Sequence, residues 1–220
     1  AYFLVQIIKR IFVFMYFHLI YKNINPDEYD YPIDDERSMK LRKIVGDDTM
    51  IVHSIPSAQY VNAFSDGTKH VFYTVPLENM CTERELLAVL IHEYGHYKEA
   101  HTSKYIMGEF LFSVVGEGII IGALAVFMAA GFPIIIFQVL FQRMGIPAEI
   151  YEQLFSKKHE FIADSYAKKF GYQDGLISFL KKLEVEEKRK YCRLLDEKKC
   201  DEKLQKMHKW STHPSNKDRV

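Results

Sequence analysis

Leu90-Ile91-His92-Glu93-Tyr94-Gly95-His96 carries the pattern His-Glu-x-x-His, and the run leading into it, Glu85-Leu86-Leu87-Ala88-Val89-Leu90-Ile91, reads as helix. Residues four apart on a helix lie one above the other on the same face. His92 and His96 can therefore aim two imidazoles at one metal ion. Glu93, about 100° further round, reaches a water beside that ion. A zinc peptidase makes its nucleophile at neutral pH in this way. Zinc also needs a third protein ligand and an open position, so the remaining sequence is read for that ligand, a substrate groove and a setting.

Working outward, Thr82-Glu83-Arg84-Glu85 forms a capping box that starts the metal helix. On a continuous helix His101, nine residues from His92, falls about 180° away and cannot share the ion. The longer pattern His-Glu-x-x-His-x-x-Gly-x-x-His is absent, because position 99 is Glu and position 102 is Thr. Glu99 lies on the histidine face and reads as an outer partner or a solvent-facing residue. A second amphipathic helix is expected over Tyr151–Phe170, closed by Gly171. It contains His159-Glu160-Phe161-Ile162-Ala163-Asp164. Glu160 is the candidate third ligand, with His159 beside it as a competitor. Asp164, one turn on, can accept the free N–H of a ligating histidine and fix its tautomer.

With 220 residues the chain is long enough for one domain with a real core. Lys plus Arg and Asp plus Glu number 29 each, so overall charge points to no nucleic-acid partner. Cys81, Cys192 and Cys200 lack a metal-ligand spacing and read as reduced thiols, with a Cys192–Cys200 pair as the lesser alternative. The fold class expected is α+β and mostly helical. Residues 1–24 form an apolar N-terminal segment, read as membrane or interfacial, with Lys9 and Arg10 at the headgroups. The first residue is Ala, which fits a further segment upstream.

Residues 25–220 form the catalytic domain in this reading. After an acidic, proline-containing linker, a short helix over Asp35–Val45 ends at Gly46. Strands over Met50–Ile55, Tyr60–Phe64 and His70–Val75, the last two joined through Ser65-Asp66-Gly67-Thr68, predict a small antiparallel sheet. Its exposed edge can take an extended peptide as an additional strand, and Asn62 either bonds to that peptide's backbone or satisfies its own turn. Between the two metal-bearing helices, Gly118 to Leu140 is uncharged, which exceeds the ~20 residues needed to cross a bilayer. Gly131-Phe132-Pro133 breaks this run, so residues 109–145 are expected to form a membrane-inserted hairpin. Asp174–Lys209 reads as a long helical region of mixed charge, followed by a loop containing His213 and Pro214.

Four separate stretches match one family. They are Asn62-Ala63-Phe64, Leu86 to His101, Glu160-Phe161-Ile162-Ala163-Asp164, and Thr212-His213-Pro214-Ser215 to Arg219. Their order, and the apolar insertion between the helices, match as well. The chain resembles the membrane-associated gluzincin proteases that include the prenyl-CAAX endoprotease (the Ste-type enzyme) and the HtpX-type proteases. The resemblance implies a zincin-like catalytic domain with one Zn2+, held by His92, His96 and Glu160. It also implies Glu93 as general base, Asp164 behind a ligand histidine, and His213 near the oxyanion. Asn62, Ala63, Phe64 and Arg219 would then contact substrate. Lys98, His101 and Thr102 look more like the prenyl-protease branch.

The function expected is a zinc metalloendopeptidase at a membrane, with the endoplasmic reticulum or plasma membrane as compatible settings. Its substrates would be prenylated CAAX-type peptides or misfolded membrane proteins. The rival is a non-catalytic membrane scaffold in which zinc staples two helices, and it requires a closed four-ligand site.

Overall fold

The computed structural model describes residues 31–108 and 146–192, with positions 111, 122, 125, 126, 129, 199, 200, 202 and 203. Its first helix begins where the acidic linker ends. Asp34 caps α1 (Asp35–Val45) by accepting from the Arg37 amide at 3.0 Å. Gly46, at φ +69°, closes the helix through an N–H to the Arg42 carbonyl. Ser38 ties α1 to the sheet: its hydroxyl donates to the Asp34 carbonyl (2.7 Å) and accepts from the Val52 amide (2.8 Å).

Three strands follow: β1 (Ile51–Ile55), β2 (Ala63–Ser65) and β3 (His70–Thr74), in the order β1-β3-β2. The β2–β3 pair is the antiparallel hairpin that Asp66-Gly67 signals, and the Asp66 carboxylate accepts from the Thr68 amide and hydroxyl. β1, however, pairs with β3 in parallel, so the sheet is mixed and not antiparallel. The reason lies in β3. All five of its residues are buried, so it takes the centre and needs partners on both sides. The three-residue β2 is only half-buried and becomes an edge. Tyr60 to Asn62 stay outside the strand.

One face of the sheet, with Val52, Val71 and Tyr73, joins the core. α2 (Val75–Met80) leads to α3 (Glu83–Lys98), which starts with the full capping box. α3 is the core's main contributor, through Leu86, Leu87, Leu90, Ile91 and Tyr94. Across it pack α1, through Leu41, and α5 (Gln173–Tyr191), through Leu176, Phe179 and Leu180. Glu85 joins α3 to α5, accepting from Ser178 and Lys182 as well as from the Thr82 amide. Burial opposes its ionisation, but those donors outweigh burial and hold its carboxyl at about 2.

α4 (Ile146–Lys169) is the expected second helix, begun five residues earlier and followed by Gly171 at φ +80°. α5 ends at Tyr191; the rest of the helical region expected to Lys209 lies outside the described residues apart from positions 199, 200, 202 and 203, which are helical. The end of α5 brings Cys192 within 5.2 Å (Cα–Cα) of Cys200, and the two form a disulfide, not the reduced thiols expected. Cys81 is free.

The chain divides into two compact units, residues 1–24 with 103–155, and residues 25–102 with 156–220. The sheet and the site belong to the second. The N-terminal segment 1–24 lies outside the described residues, and so does the hairpin expected at 109–145 apart from isolated positions. Among the described residues no helix is long and apolar enough to cross a membrane.

Candidate metal centre

α3 places His92 and His96 on one face, and α4 meets that face with Glu160 and Asp164. The two helices come close because position 95 is glycine. A Cβ there would lie 3.0 Å from the Ala163 Cα and 3.2 Å from the Ala163 carbonyl oxygen. A glycine inside a helix costs ~1 kcal/mol relative to alanine, and here it lets the neighbouring backbone in.

His92 is 6% exposed and Glu160 3%, whereas His96 is only partly buried. The two Nε2 atoms of His92 and His96 are 3.1 Å apart. Nε2 of His92 is 3.5 Å from one carboxylate oxygen of Glu160, and Nε2 of His96 is 3.4 Å from the other. The three residues thus form a group able to hold one metal ion. Ligand atoms ~2.0–2.1 Å from a tetrahedral ion stand about 3.3 Å from one another. The observed separations have that size. On the far side of His92, Nδ1 is 2.9 Å from Oδ1 of Asp164, which keeps the ring proton there and leaves the Nε2 lone pair facing inward. Two nitrogen lone pairs and a carboxylate directed at one point suit a cation, and the donor set suits zinc.

Glu93 lies beside this group, one carboxylate oxygen 3.9 Å from Nε2 of His92. Its other oxygen accepts from the main-chain N–H of Ser65 at 3.1 Å. Alternate residues of an antiparallel strand turn their N–H and C=O towards the partner or away from it. Because the Ser65 amide turns away from β3 to Glu93, Ala63, two residues back, also turns its main chain away from β3. Asn62 has a different position: its N–H donates to the Thr74 hydroxyl and its carbonyl accepts from the Thr74 amide. The Phe64 ring stacks on Phe72, on the sheet face away from α3.

The continuous-helix reading of His101 does not hold. α3 ends at Lys98, and Ala100 takes φ +52°, the only non-glycine positive φ among the described residues. The chain re-enters helix at residue 101, now redirected. His101 is buried, with its Nδ1 3.0 Å from Nδ1 of His96 and its ring stacked on that of His159. His159 is therefore engaged by ring stacking and is not in the metal-holding group. Glu99, at the break, accepts from the Tyr166 hydroxyl at 2.7 Å. Burial, then that carboxylate, push the Tyr166 phenol up to about 12. Reading α3 as unbroken missed His101, and no glycine or proline in Lys98-Glu99-Ala100 marks the turn. The Ser65 amide was also missed, since a main-chain donor has no residue-type signature. His213 and Arg219 lie outside the described residues.

Residues 40–220 match the sequence model of peptidase family M48. The chain belongs to that family. Among its relatives, the CAAX prenyl protease 1 homolog of Homo sapiens is 37% identical over 116 residues, which cover 47% of this chain and 24% of that protein. The homolog of Oryza sativa subsp. japonica is 30% identical over 140 residues, 59% of this chain and 33% of that protein. The matched regions thus span a third or less of these relatives' length. The crystal structure of S. mikatae Ste24p superposes with a TM-score of 0.58 at 22% identity, covering 99% of this chain and 55% of that one. This last likeness speaks to the fold alone, mostly helical with a small mixed sheet.

Proposed function

We propose that this chain is the catalytic part of a zinc-dependent endopeptidase held at a membrane. The observation that carries the reading is the convergence of His92, His96 and Glu160 beside a carboxylate, Glu93, that is anchored to an edge strand. His92, His96 and Glu160 are the ligands, and Asp164 orients His92. A zinc ion bound there supplies a Lewis acid for the scissile carbonyl and brings the pKa of a water towards ~7.

Glu93 accepts the proton of that water as it attacks, and then delivers it to the leaving amine. The Ser65 amide holds the Glu93 carboxylate in place between these steps. An extended substrate pairs with the β2 edge through the Ala63 main chain, with Asn62 and Phe64 flanking it. His213 steadies the oxyanion and Arg219 contacts the substrate. Family membership supports a peptide or protein substrate. The CAAX prenyl protease relatives favour a prenylated C-terminal peptide over a misfolded membrane protein, and the apolar stretch at 109–145 supports a lipid setting.

Glu93→Gln is expected to retain stoichiometric zinc and lose peptide cleavage. Retained cleavage by purified, metal-replete Glu93→Gln protein overturns the mechanism. A farnesylated peptide, its unmodified twin and an unfolded casein-like protein, assayed with and without chelator, separate the substrate classes.

A further inference from the structure

His92 turns its outer nitrogen, Nδ1, to Asp164, and the outer nitrogen of His96 has a different neighbour. What lies there is His101, Nδ1 to Nδ1 at 3.0 Å. If Nε2 of His96 faces the metal, the ring proton sits on Nδ1, and His101 receives it as an acceptor from a neutral ring. We propose that His101 is a positioning residue for the metal centre, holding the His96 imidazole with Nε2 bare and turned towards His92 and Glu160. This inference rests on the zinc reading above.

Three features beyond the contact itself point the same way. His101 reaches His96 only because the helix breaks, and the break puts Ala100 in a left-handed conformation at φ +52°. That conformation is strained for a non-glycine residue, so the surrounding structure enforces it. The ring is 4% exposed and lies flat against His159, 4.1 Å between centroids and 12° between planes. His159 precedes Glu160, so one stacked pair links the outer side of His96 to the helix of the third ligand. Charge also favours a neutral acceptor. Glu93, Glu160 and Asp164 already set three carboxylates around one divalent ion, and an imidazole adds an acceptor without adding a fourth. Nor is His101 a fourth ligand closing the site: it touches the nitrogen of His96 that faces away from His92 and Glu160.

The test compares parent, His101→Phe and His101→Asn as full chains purified in detergent. Zinc affinity is read by chelator competition and ligand geometry by the visible spectrum of the cobalt-substituted protein. Phe keeps a ring to stack on His159 but removes the acceptor, while Asn supplies an amide oxygen near the position of Nδ1. His101→Phe is expected to bind zinc ~10–100-fold more weakly, with altered cobalt bands, and His101→Asn to recover most of that loss. Parent-like affinity and spectrum in His101→Phe overturn the proposal, and so do equal losses in both variants. Should His101→Phe fail to fold by circular dichroism of the metal-free protein, His101→Asn decides: near-parental affinity supports the role, and a loss of roughly tenfold or more overturns it. A parent protein without stoichiometric zinc overturns the metal reading itself, and this proposal with it.

Discussion

Replacing Gly95 with alanine tests whether the two helices that carry the proposed ligands must meet as closely as they do. The added Cβ would lie 3.0 Å from the Ala163 Cα, 3.2 Å from its carbonyl oxygen and 3.2 Å from Cδ2 of Tyr166. Carbon atoms in contact prefer ~3.5–4.0 Å, so the shortfall is about 0.5 Å or more, against backbone that has no rotamer to change. α4 must retreat by that amount, and it carries Glu160 and Asp164 on either side of Ala163. Metal–ligand distances tolerate only about ±0.2 Å, so Glu160 leaves its place opposite the two histidines. The effect on folding is smaller. Alanine gains ~1 kcal/mol of helix propensity, and overpacking costs ~1–3 kcal/mol, leaving a net loss of ~0–2 kcal/mol. Gly95→Ala is therefore expected to melt within a few degrees of the parent when metal-free, yet to bind zinc roughly tenfold more weakly or worse. Chelator competition and thermal unfolding of the metal-free protein measure the two quantities separately. Zinc affinity within twofold of the parent would refute the reasoning, because the close approach would then have no bearing on the site.

Three further outcomes follow from contacts already described. Glu85 ionises at about 2 in the folded chain against an ordinary value of 4.5, so its contribution is complete above 4.5 and disappears as pH falls towards 2. The stability gap between parent and Glu85→Gln in chemical denaturation should shrink by up to about 3 kcal/mol across that window; a gap independent of pH removes the assignment. Ala100→Gly should raise the stability of the metal-free protein by ~0.5–1 kcal/mol with zinc binding unchanged, since glycine takes φ +52° without strain; a lower melting point speaks against an enforced break. Ser65→Pro deletes the amide that donates to Glu93, at an edge position where proline does not interrupt the β3 ladder. A hydrogen bond to a charged acceptor is worth ~1.5–3 kcal/mol, so kcat should fall roughly 10–100-fold with zinc retained, and an unchanged kcat would dismiss the anchor.

Much of the frame was legible because its signals are local. The capping box at Thr82–Glu85, the Gly46 terminator and the Asp66-Gly67 turn each act within a few residues, and each stands where the sequence puts it. Strand direction is not local. Nothing within Ile51–Ile55 says whether it runs with β3 or against it, and only the burial of all of β3 gives it two partners. The Cys192–Cys200 disulfide ranked below free thiols for a similar reason: it depends on where α5 stops, and a mixed-charge helix carries no stop signal before Cys192. In the site, the spacing of His92 and His96 gives two donors outright. Glu160 and Asp164 form an i, i+4 pair that on most helices faces water, and only the approach of α4 over Gly95 distinguishes them. His101 was lost to an assumption of helical continuity, because Lys98-Glu99-Ala100 holds no glycine or proline to mark the break.

The hydrogen bond between Ser65 and Glu93 argues for a peptide substrate independently of family membership. A general base for a small, freely docked substrate needs only the right distance to one atom. Here the proposed base, Glu93, is tied to the main chain of β2, an edge strand among the described residues, two residues from the Ala63 groups that face away from β3. An extended chain paired with that edge advances in steps of ~3.3–3.4 Å per residue, and its pleat fixes which carbonyls face α3. Base and edge share a bond, so a shift of one carries the other, and the carbonyl presented stays in register with Glu93. Substrate side chains take no part in this alignment. Sequence preference must then come from pockets flanking the edge or from a group attached to the substrate, and the farnesylated and unmodified peptide twins separate those two sources. Equal cleavage of the twins assigns preference to the flanking pockets, whereas a strong bias towards the farnesylated peptide assigns it to the lipid.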